Sequence, residues 1–224
     1  MTESSGETDD VPGRYGRRRP RRGFTPEVIA AAGRRVIERD GLNALSMRAV
    51  AAELETAAPS LYRHVADRDA LLLAILEDVA AGMPVEVEGE TPRARLTARL
   101  LAAHDYLGRN VWVVHVLVRG ELVAENAFGY VNACLTDFLA AGLSPRQART
   151  ALDACWHLLV GELLSGHPLQ PPVEPTQRQR AMASLDPAVY PALGAIREAV
   201  PGGRPADDFE PAMTALLAGL LPGA

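Results

Sequence analysis

The sequence predicts an all-α chain in which an N-terminal three-helix helix-turn-helix unit is followed by a larger helical unit. Three observations carry that prediction. Residues 46–69, SMRAVAAELETAAPSLYRHVADRD, hold two short helical patterns joined by a tight turn. Apolar residues then recur at helical spacing almost to the end of the chain. Charge is also divided: residues 11–66 hold 11 Arg against 5 acids, a net of +6, whereas residues 67–224 hold 12 Arg against 19 acids, a net of −7. The basic stretch coincides with the helix-turn-helix, which is the electrostatic footprint of a nucleic-acid contact.

Taken in order, residues 1–23 lack hydrophobic periodicity and split into an acidic tip and a basic arm, RYGRRRPRRG, with six Arg in its first nine residues. Arg beside Gly and Pro, extended and without bulk, fits a narrow A·T-rich minor groove, so Arg17, Arg18, Arg19, Arg21 and Arg22 are candidate DNA contacts. A solvated tail is the alternative, and on either reading the free arm is expected to be disordered. Residues 24–41 form the first helix, with Thr25 as N-cap, Pro26 at N1, Phe24 placed to staple against Ile29, and Gly41 as the stop. Ile29, Ala32, Val36 and Ile37 make its inner face. Ser46 caps the next helix, which buries Met47, Val50, Ala51 and Leu54. After a break a short helix follows, with Pro59 in its first turn and Leu61 and Val65 turned inward. Ala58, Ser60, Tyr62, Arg63 and His64 are left free of the core, a mixture of groups suited to base edges and phosphates.

Asp67 caps a fourth helix over 68–82, whose Leu71, Leu72, Ile75, Leu76 and Val79 form a wide apolar stripe. Residues 82–91, GMPVEVEGET, are an acidic breaker. The expected division is therefore an arm, 1–23, a helix-turn-helix domain with its connecting helix, 24–82, and a helical domain, 83–224. Helices are expected over 92–109, 111–123, 125–141, 145–165, 176–200 with interruptions, and 207–221. VWVVHVLV, at 111–118, is β-branched and in isolation would read as a strand, but its helical neighbours favour a short buried helix. The 145–165 helix, with Ser144 as cap and Pro145 at N1, is apolar nearly all round from Leu152 onward and must be covered on more than one side. Residues 166–175, GHPLQPPVEP, form a semi-rigid connection, either a gate beside a ligand site or an idle linker. The last helix gathers Phe209, Met213, Leu216, Leu217, Leu220 and Leu221 on one stripe.

With 224 residues, 48% hydrophobic and 23% charged, the chain is a soluble globular type large enough for one or two domains. All 23 basic residues are Arg. Cys134 and Cys155 are too far apart for a metal knuckle and fall in apolar helical patterns, so both are expected to be reduced packing residues in a cytoplasmic protein. The longest uncharged apolar run, 111–118, is far short of the roughly 20 residues of a membrane span, and the acidic start does not resemble a signal peptide. No membrane partner, metal or cofactor is expected.

AVAAEL, LYRHV and ADRDALL, in this order and spacing, resemble the TetR family of bacterial transcription regulators, specifically over 47–72 and more loosely over the rest of the folded chain. The resemblance implies that the 68–82 helix joins a DNA reader to a sensor and that Arg68 lies beside a phosphate. It also favours a helix for 111–118. It further implies a homodimer in which the helices 145–165 and 207–221 pair with their symmetry mates. DFEPAMTALLAGL resembles the end of the tetracycline-repressor branch. Such a dimer presents two heads to a pseudo-palindromic double-stranded DNA operator, with successive major grooves about 34 Å apart or more. The expected contacts are Thr25, Ser46, Arg48, Ala58, Pro59, Ser60, Tyr62, Arg63, His64 and Arg68. Tyr62 and His64 serve phosphates, Ser60 and Arg63 read bases, and Ala58 and Pro59 touch a thymine methyl. One departure stands out: the family usually has Gly where this chain has Glu55, and an apolar residue at Thr56. A left-handed backbone at Glu55 costs about 1 kcal/mol, and its carboxylate is unhelpful near phosphates. Thr56 is then expected to cap the following helix in place of Ala57.

In the C-terminal part, His104, Trp112, His115, Phe128, Asn132, Trp156 and His157 are polar-tipped or aromatic groups set among Leu, Val and Ala. They are the candidate ligand-binding set, and together they favour an aromatic or lipophilic effector over a charged one. Any single His among them is more often an ordinary core or interface residue. His104 and His115 have no further ligand at helical spacing, which argues against a metal site. The resulting expectation is a homodimeric repressor released from its operator by a small molecule. An architectural A·T-rich DNA binder driven by the Arg arm is the rival. A helical enzyme is disfavoured, because no Ser-His-acid set, carboxylate pair or Gly-rich phosphate loop occurs in 92–221.

Overall fold

A computed structural model describes residues 24–120, 122–166, 174–199 and 209–222, and among these every regular element is a helix. The elements are α1 (Pro26–Asp40), a 3₁₀ turn (Leu42–Ala44), α2 (Met47–Glu53), α3 (Ala58–Leu61), α4 (Arg68–Ala81) and α5 (Pro92–Gly108). They continue with α6 (Val111–Leu117), α7 (Ala127–Ala140), α8 (Pro145–Gly166), α9 (Gln177–Ala183), α10 (Pro191–Ala199) and α11 (Phe209–Leu220). The Arg-rich arm, residues 167–173 of the proline-rich stretch and the expected start of the last helix at 207–208 lie outside the described residues.

Helix starts follow local chemistry. Thr25 Oγ1 accepts from the Val28 N–H at 3.4 Å, Ser46 Oγ from Ala49 at 3.1 Å, Asp67 Oδ1 from Ala70 at 2.8 Å and Thr91 Oγ1 from Ala94 at 3.1 Å. Each satisfies an orphan N–H and contributes about 1 kcal/mol. Ile29, Ala32, Val36 and Ile37 are buried on α1, which packs on α4, and Met47, Val50 and Ala51 of α2 join the same core. Gly33 lets α1 and α4 approach, since a Cβ there would stand 2.6 Å from Ile75 Cδ1.

The turn between α2 and α3 is a Schellman motif. Glu55 N–H donates to Ala52 O at 3.1 Å and Thr56 N–H to Ala51 O at 2.9 Å, with Glu55 left-handed at φ 51°. The cap expectation for Thr56 is corrected here. Ala57, extended at φ −92° and ψ 139°, holds the N-cap position, and no side chain caps α3. Thr56 is spent on closing the previous helix, one residue too early to cap the next.

The β-branched run at 111–117 is helical because Trp112, Val113, Val114 and Val116 are all buried, so packing on several sides overrides strand propensity. That helix ends at Leu117, earlier than expected, and Gly120 turns the chain at φ 72°. The 82–91 segment has no regular structure, yet it is strapped to the body. Arg99 Nε donates to Val85 O at 3.1 Å and Arg95 Nη1 to Gly89 O at 3.2 Å. Both guanidinium groups converge on the buried Asp137 of α7, Arg99 at 2.6 Å and Arg95 at 2.7 Å. α5 runs through the centre of the body against α7, α8 and α11. Apolar packing is continuous from Ile29 to Leu221.

α8 buries Cys155, Leu159 and Leu163 but leaves His157, Gly161 and Leu164 exposed, so within one chain it is not covered on every side. Cys134 and Cys155 are free and buried, and burial pushes their thiols up to about 11 and about 12 respectively. Thiols so held are protonated and unreactive at neutral pH. No helix among the described residues is long and apolar enough to cross a membrane.

Candidate nucleic-acid interface and ligand cavity

Leu61 and Val65 are buried and anchor the short segment after the turn, which presents Tyr62, Arg63 and His64 outward. Regular α-helix ends at Leu61. Hydrogen bonds from His64 N–H and Val65 N–H to Leu61 O, at 2.8 and 3.0 Å, carry the coil one turn further. Tyr62 is 53% exposed, Pro59 is exposed, and Ala58 and Ser60 are half-buried. Thr25, Ser46 and Arg48 are exposed as well. The Thr25 and Ser46 oxygens accept cap bonds, which leaves each O–H able to donate. Arg68, also exposed, donates from Nε to Leu45 O at 3.1 Å and so pins the start of α4 to the loop before α2.

The charge of this head is less basic than its sequence window implies. Residues 24–66 hold 5 Arg against 5 acids, so the whole surplus resides in the arm. Glu53 takes Arg35 Nε at 2.8 Å and Arg39 Nη1 at 2.8 Å, and Arg39 also pairs with Asp40 at 2.9 Å. Arg35 foremost, then Arg39, hold the Glu53 carboxyl below its ordinary value, and Asp40 with Glu53 raises Arg39. Arg34 pairs with Glu38 at 2.8 Å and Asp78 at 3.3 Å. Among the described residues, Arg48, Arg63 and Arg68 are the head arginines with no carboxylate in salt-bridge range.

A cavity of about 430 Å³ lies where α4, α6, α7 and α8 meet, within the size range of small-molecule sites. Leu76, Val79 and Ala80 of α4 form one wall with Met83 beyond its end. Val113 and Leu117 of α6, the loop residues Leu122, Val123 and Ala124, and Ala127, Phe128 and Val131 of α7 form others. Leu152 and Trp156 of α8 close the last side, beside the ion pair of Arg149 and Asp153 at 2.8 Å. The lining is thus apolar and aromatic apart from one self-neutralised pair, chemistry that favours an uncharged or amphiphilic organic molecule.

Of the seven residues singled out from sequence, the structure brings Phe128 and Trp156 to this cavity. His104 instead stacks on Phe209 of α11, ring centroids 3.9 Å apart, with Nδ1 3.7 Å from Asp105. Trp112 is in the core, and His115, Asn132 and His157 are exposed. Sequence reasoning passed over the α4 wall, because Leu76 and Val79 look like ordinary core in a stripe. The signal available was the width of that stripe, more than one neighbouring helix can cover. Head and cavity are linked by the same helix. Arg34 of α1 bonds Asp78 of α4 and, through Nη2, Asn110 Oδ1 at 3.1 Å, while Tyr106 Oη donates to Val79 O at 2.7 Å.

Comparison with known proteins accords with this geometry. Residues 29–75 match the family model for bacterial regulatory proteins of the tetR family. The chain is 30% identical over 141 residues to the HTH-type transcriptional repressor DrrR1 of Streptomyces coeruleorubidus, covering 60% of this chain and 52% of that protein. It is 27% identical over 141 residues to an HTH-type transcriptional regulator of Saccharopolyspora erythraea, covering 62% of this chain and 60% of the relative. The match thus spans about half to three-fifths of these relatives' length. In fold it resembles the Streptomyces coelicolor TetR family protein ActR in complex with (S)-DNPA, with a TM-score of 0.75 at 22% identity over 88% of this chain and 97% of ActR. Helix-turn-helix geometry and the matched family model converge: residues 29–75 carry the N-terminal domain of the tetR family of bacterial regulatory proteins, within an all-helical fold shared with ActR.

Proposed function

We propose that the protein is a ligand-responsive, DNA-binding transcription regulator that acts as a homodimeric repressor. The observation that carries this reading is the course of α4, whose start is pinned beneath the head by Arg68 and whose end is a wall of the cavity. A molecule entering that cavity acts on the element that sets the position of the head. It shifts the equilibrium only by its differential affinity for the two arrangements, and a coupling of about 1–3 kcal/mol weakens DNA binding roughly 5- to 150-fold. The effector is small and lipophilic or aromatic, a reading supported by the lining and by ActR, solved in complex with (S)-DNPA. Residues 24–82 constitute the reader and 83–224 the sensor.

Within the head, Tyr62 and His64 contact phosphates, Ser60 and Arg63 read bases, and Thr25, Ser46, Arg48, Ala58, Pro59 and Arg68 complete the interface. The arm adds charge, and the neutrality of residues 24–66 supports that division of labour. Dimerisation through the helices at 145–165 and 207–221 covers the exposed strip of His157, Gly161 and Leu164 and gives two heads for two half-sites.

Selection of bound duplexes from a random library tests the proposal. A pseudo-palindrome is expected, with Arg63→Ala relaxing preference at defined positions. Diffuse A·T-rich enrichment, insensitive to Ser60→Ala and Arg63→Ala, would replace it with the architectural reading, which the arginine surplus of the arm favours.

A further inference from the structure

Beside the cavity, α4 and α7 are joined by a three-bond clamp centred on Glu77. One carboxylate oxygen of Glu77 accepts the Glu125 N–H at 2.7 Å and the other the Asn126 N–H at 2.9 Å. Asn126 Nδ2 donates back to Glu77 O at 3.1 Å. Asn126 is the N-cap position of α7, but its side chain makes no cap bond there. The two amides that lead into that 14-residue helix are instead satisfied from across the structure, which sets a carboxylate at the positive end of its dipole. Residues on either side of the clamped amides, Leu122, Val123, Ala124, Ala127 and Phe128, line the cavity. Asp78, the next residue of α4, receives Arg34 from the head.

We infer that Glu77 is the positioning residue that transmits cavity occupancy to α4 by holding the 122–128 wall rigidly to that helix. This deepens the regulator reading and rests on it. The apolar contacts between α4 and the cavity are non-directional and tolerate sliding. Charge-assisted hydrogen bonds at 2.7 and 2.9 Å are not tolerant, since small displacements or tilts weaken them steeply. When a ligand displaces Leu122–Ala124 or the first turn of α7, Glu77 therefore moves with it. Arg34, bonded at the adjacent position, carries the displacement on to α1.

The test is a double-mutant cycle on the full chain, read as affinity for the duplex recovered by library selection. Leu152→Trp fills the cavity from α8 and serves as a built-in occupant. Alone, it is expected to weaken DNA binding about tenfold, within the usual range of linkage. Glu77→Ala alone changes DNA affinity less than about twofold, and in its background Leu152→Trp loses nearly all of its effect. Glu77→Gln, which keeps one acceptor, restores part of the effect, and amide exchange at Glu125 and Asn126 rises from wild type through Gln to Ala. A structural role alone would lower the melting temperature yet leave the tenfold effect intact in all three backgrounds, and that result overturns the inference. If Leu152→Trp leaves wild-type DNA binding unchanged, the link between cavity and DNA fails, and both readings fall. If it weakens binding equally with and without Glu77, only the clamp is wrong.

Discussion

The head and the body set their ion pairs in opposite surroundings. At the head, ion pairs are exposed and local in the fold: Arg35 is 52% exposed where it meets Glu53. In the body, Arg99 and Asp137 are 6% and 4% exposed and join α5, α7 and the 82–91 segment at once. The first kind of pair neutralises a surface and contributes little to stability, whereas the second fixes an architecture and is costly to break. The head can thus be a neutral, rigid support for a few exposed readers, while the body keeps its polarity inside and its cavity apolar.

Five substitutions probe this contrast. Asp137→Ala strands a buried guanidinium and is expected to cost about 3–5 kcal/mol, measured by denaturant unfolding. A loss under 1 kcal/mol would mean that the body pair is no more structural than the head pairs. Gly33→Ala drives a methyl into Ile75 at the α1–α4 contact and should cost about 1–3 kcal/mol. Arg63→Ala should lose about 1–3 kcal/mol of binding to the selected duplex and much less to a scrambled one, by fluorescence anisotropy. Glu55→Gly relieves the left-handed carboxylate residue and should raise stability by about 1 kcal/mol.

The smallest effect is that of Glu53→Gln, because its partners Arg35 and Arg39 lie more than half exposed and surface ion pairs are screened by solvent. Its folded carboxyl is held low by Arg35 and Arg39, so whatever it contributes is present at neutral pH. That contribution fades as pH falls through the folded value, and the difference from wild type should vanish in acid. A mutant gap that widened in acid would reverse the sign assigned to these pairs.

The head was readable from sequence because its determinants are local. Ser46 precedes its helix by one residue, Leu61 and Val65 stand one turn apart, and Glu55, at a position where the family it resembles usually has Gly, has the left-handed backbone whose cost the sequence raised. The Thr56 cap failed for a reason equally local, since the Schellman closure uses that residue's backbone in the preceding helix. In the body, periodicity found the helices but not their partners. His104 and Trp156 look alike in sequence, yet one stacks on Phe209 across 105 positions and the other faces the cavity. The Glu77 clamp spans 48 and 49 positions and leaves no mark in any window. Non-local hydrogen bonds of this kind are set by tertiary packing, which spacing alone does not encode.

The most direct test of the account is the salt dependence of binding to the selected duplex and to a scrambled one, with the full chain and with residues 1–22 deleted. If a neutral head reads sequence and the arm supplies charge, deletion lowers affinity for both duplexes by a similar factor. The log–log salt slope should flatten by about 0.9 for each phosphate that the arm had neutralised, and the ratio between duplexes should survive. If deletion instead brings that ratio to one, the arm is the reader, and a helix-turn-helix that specifies the operator is contradicted.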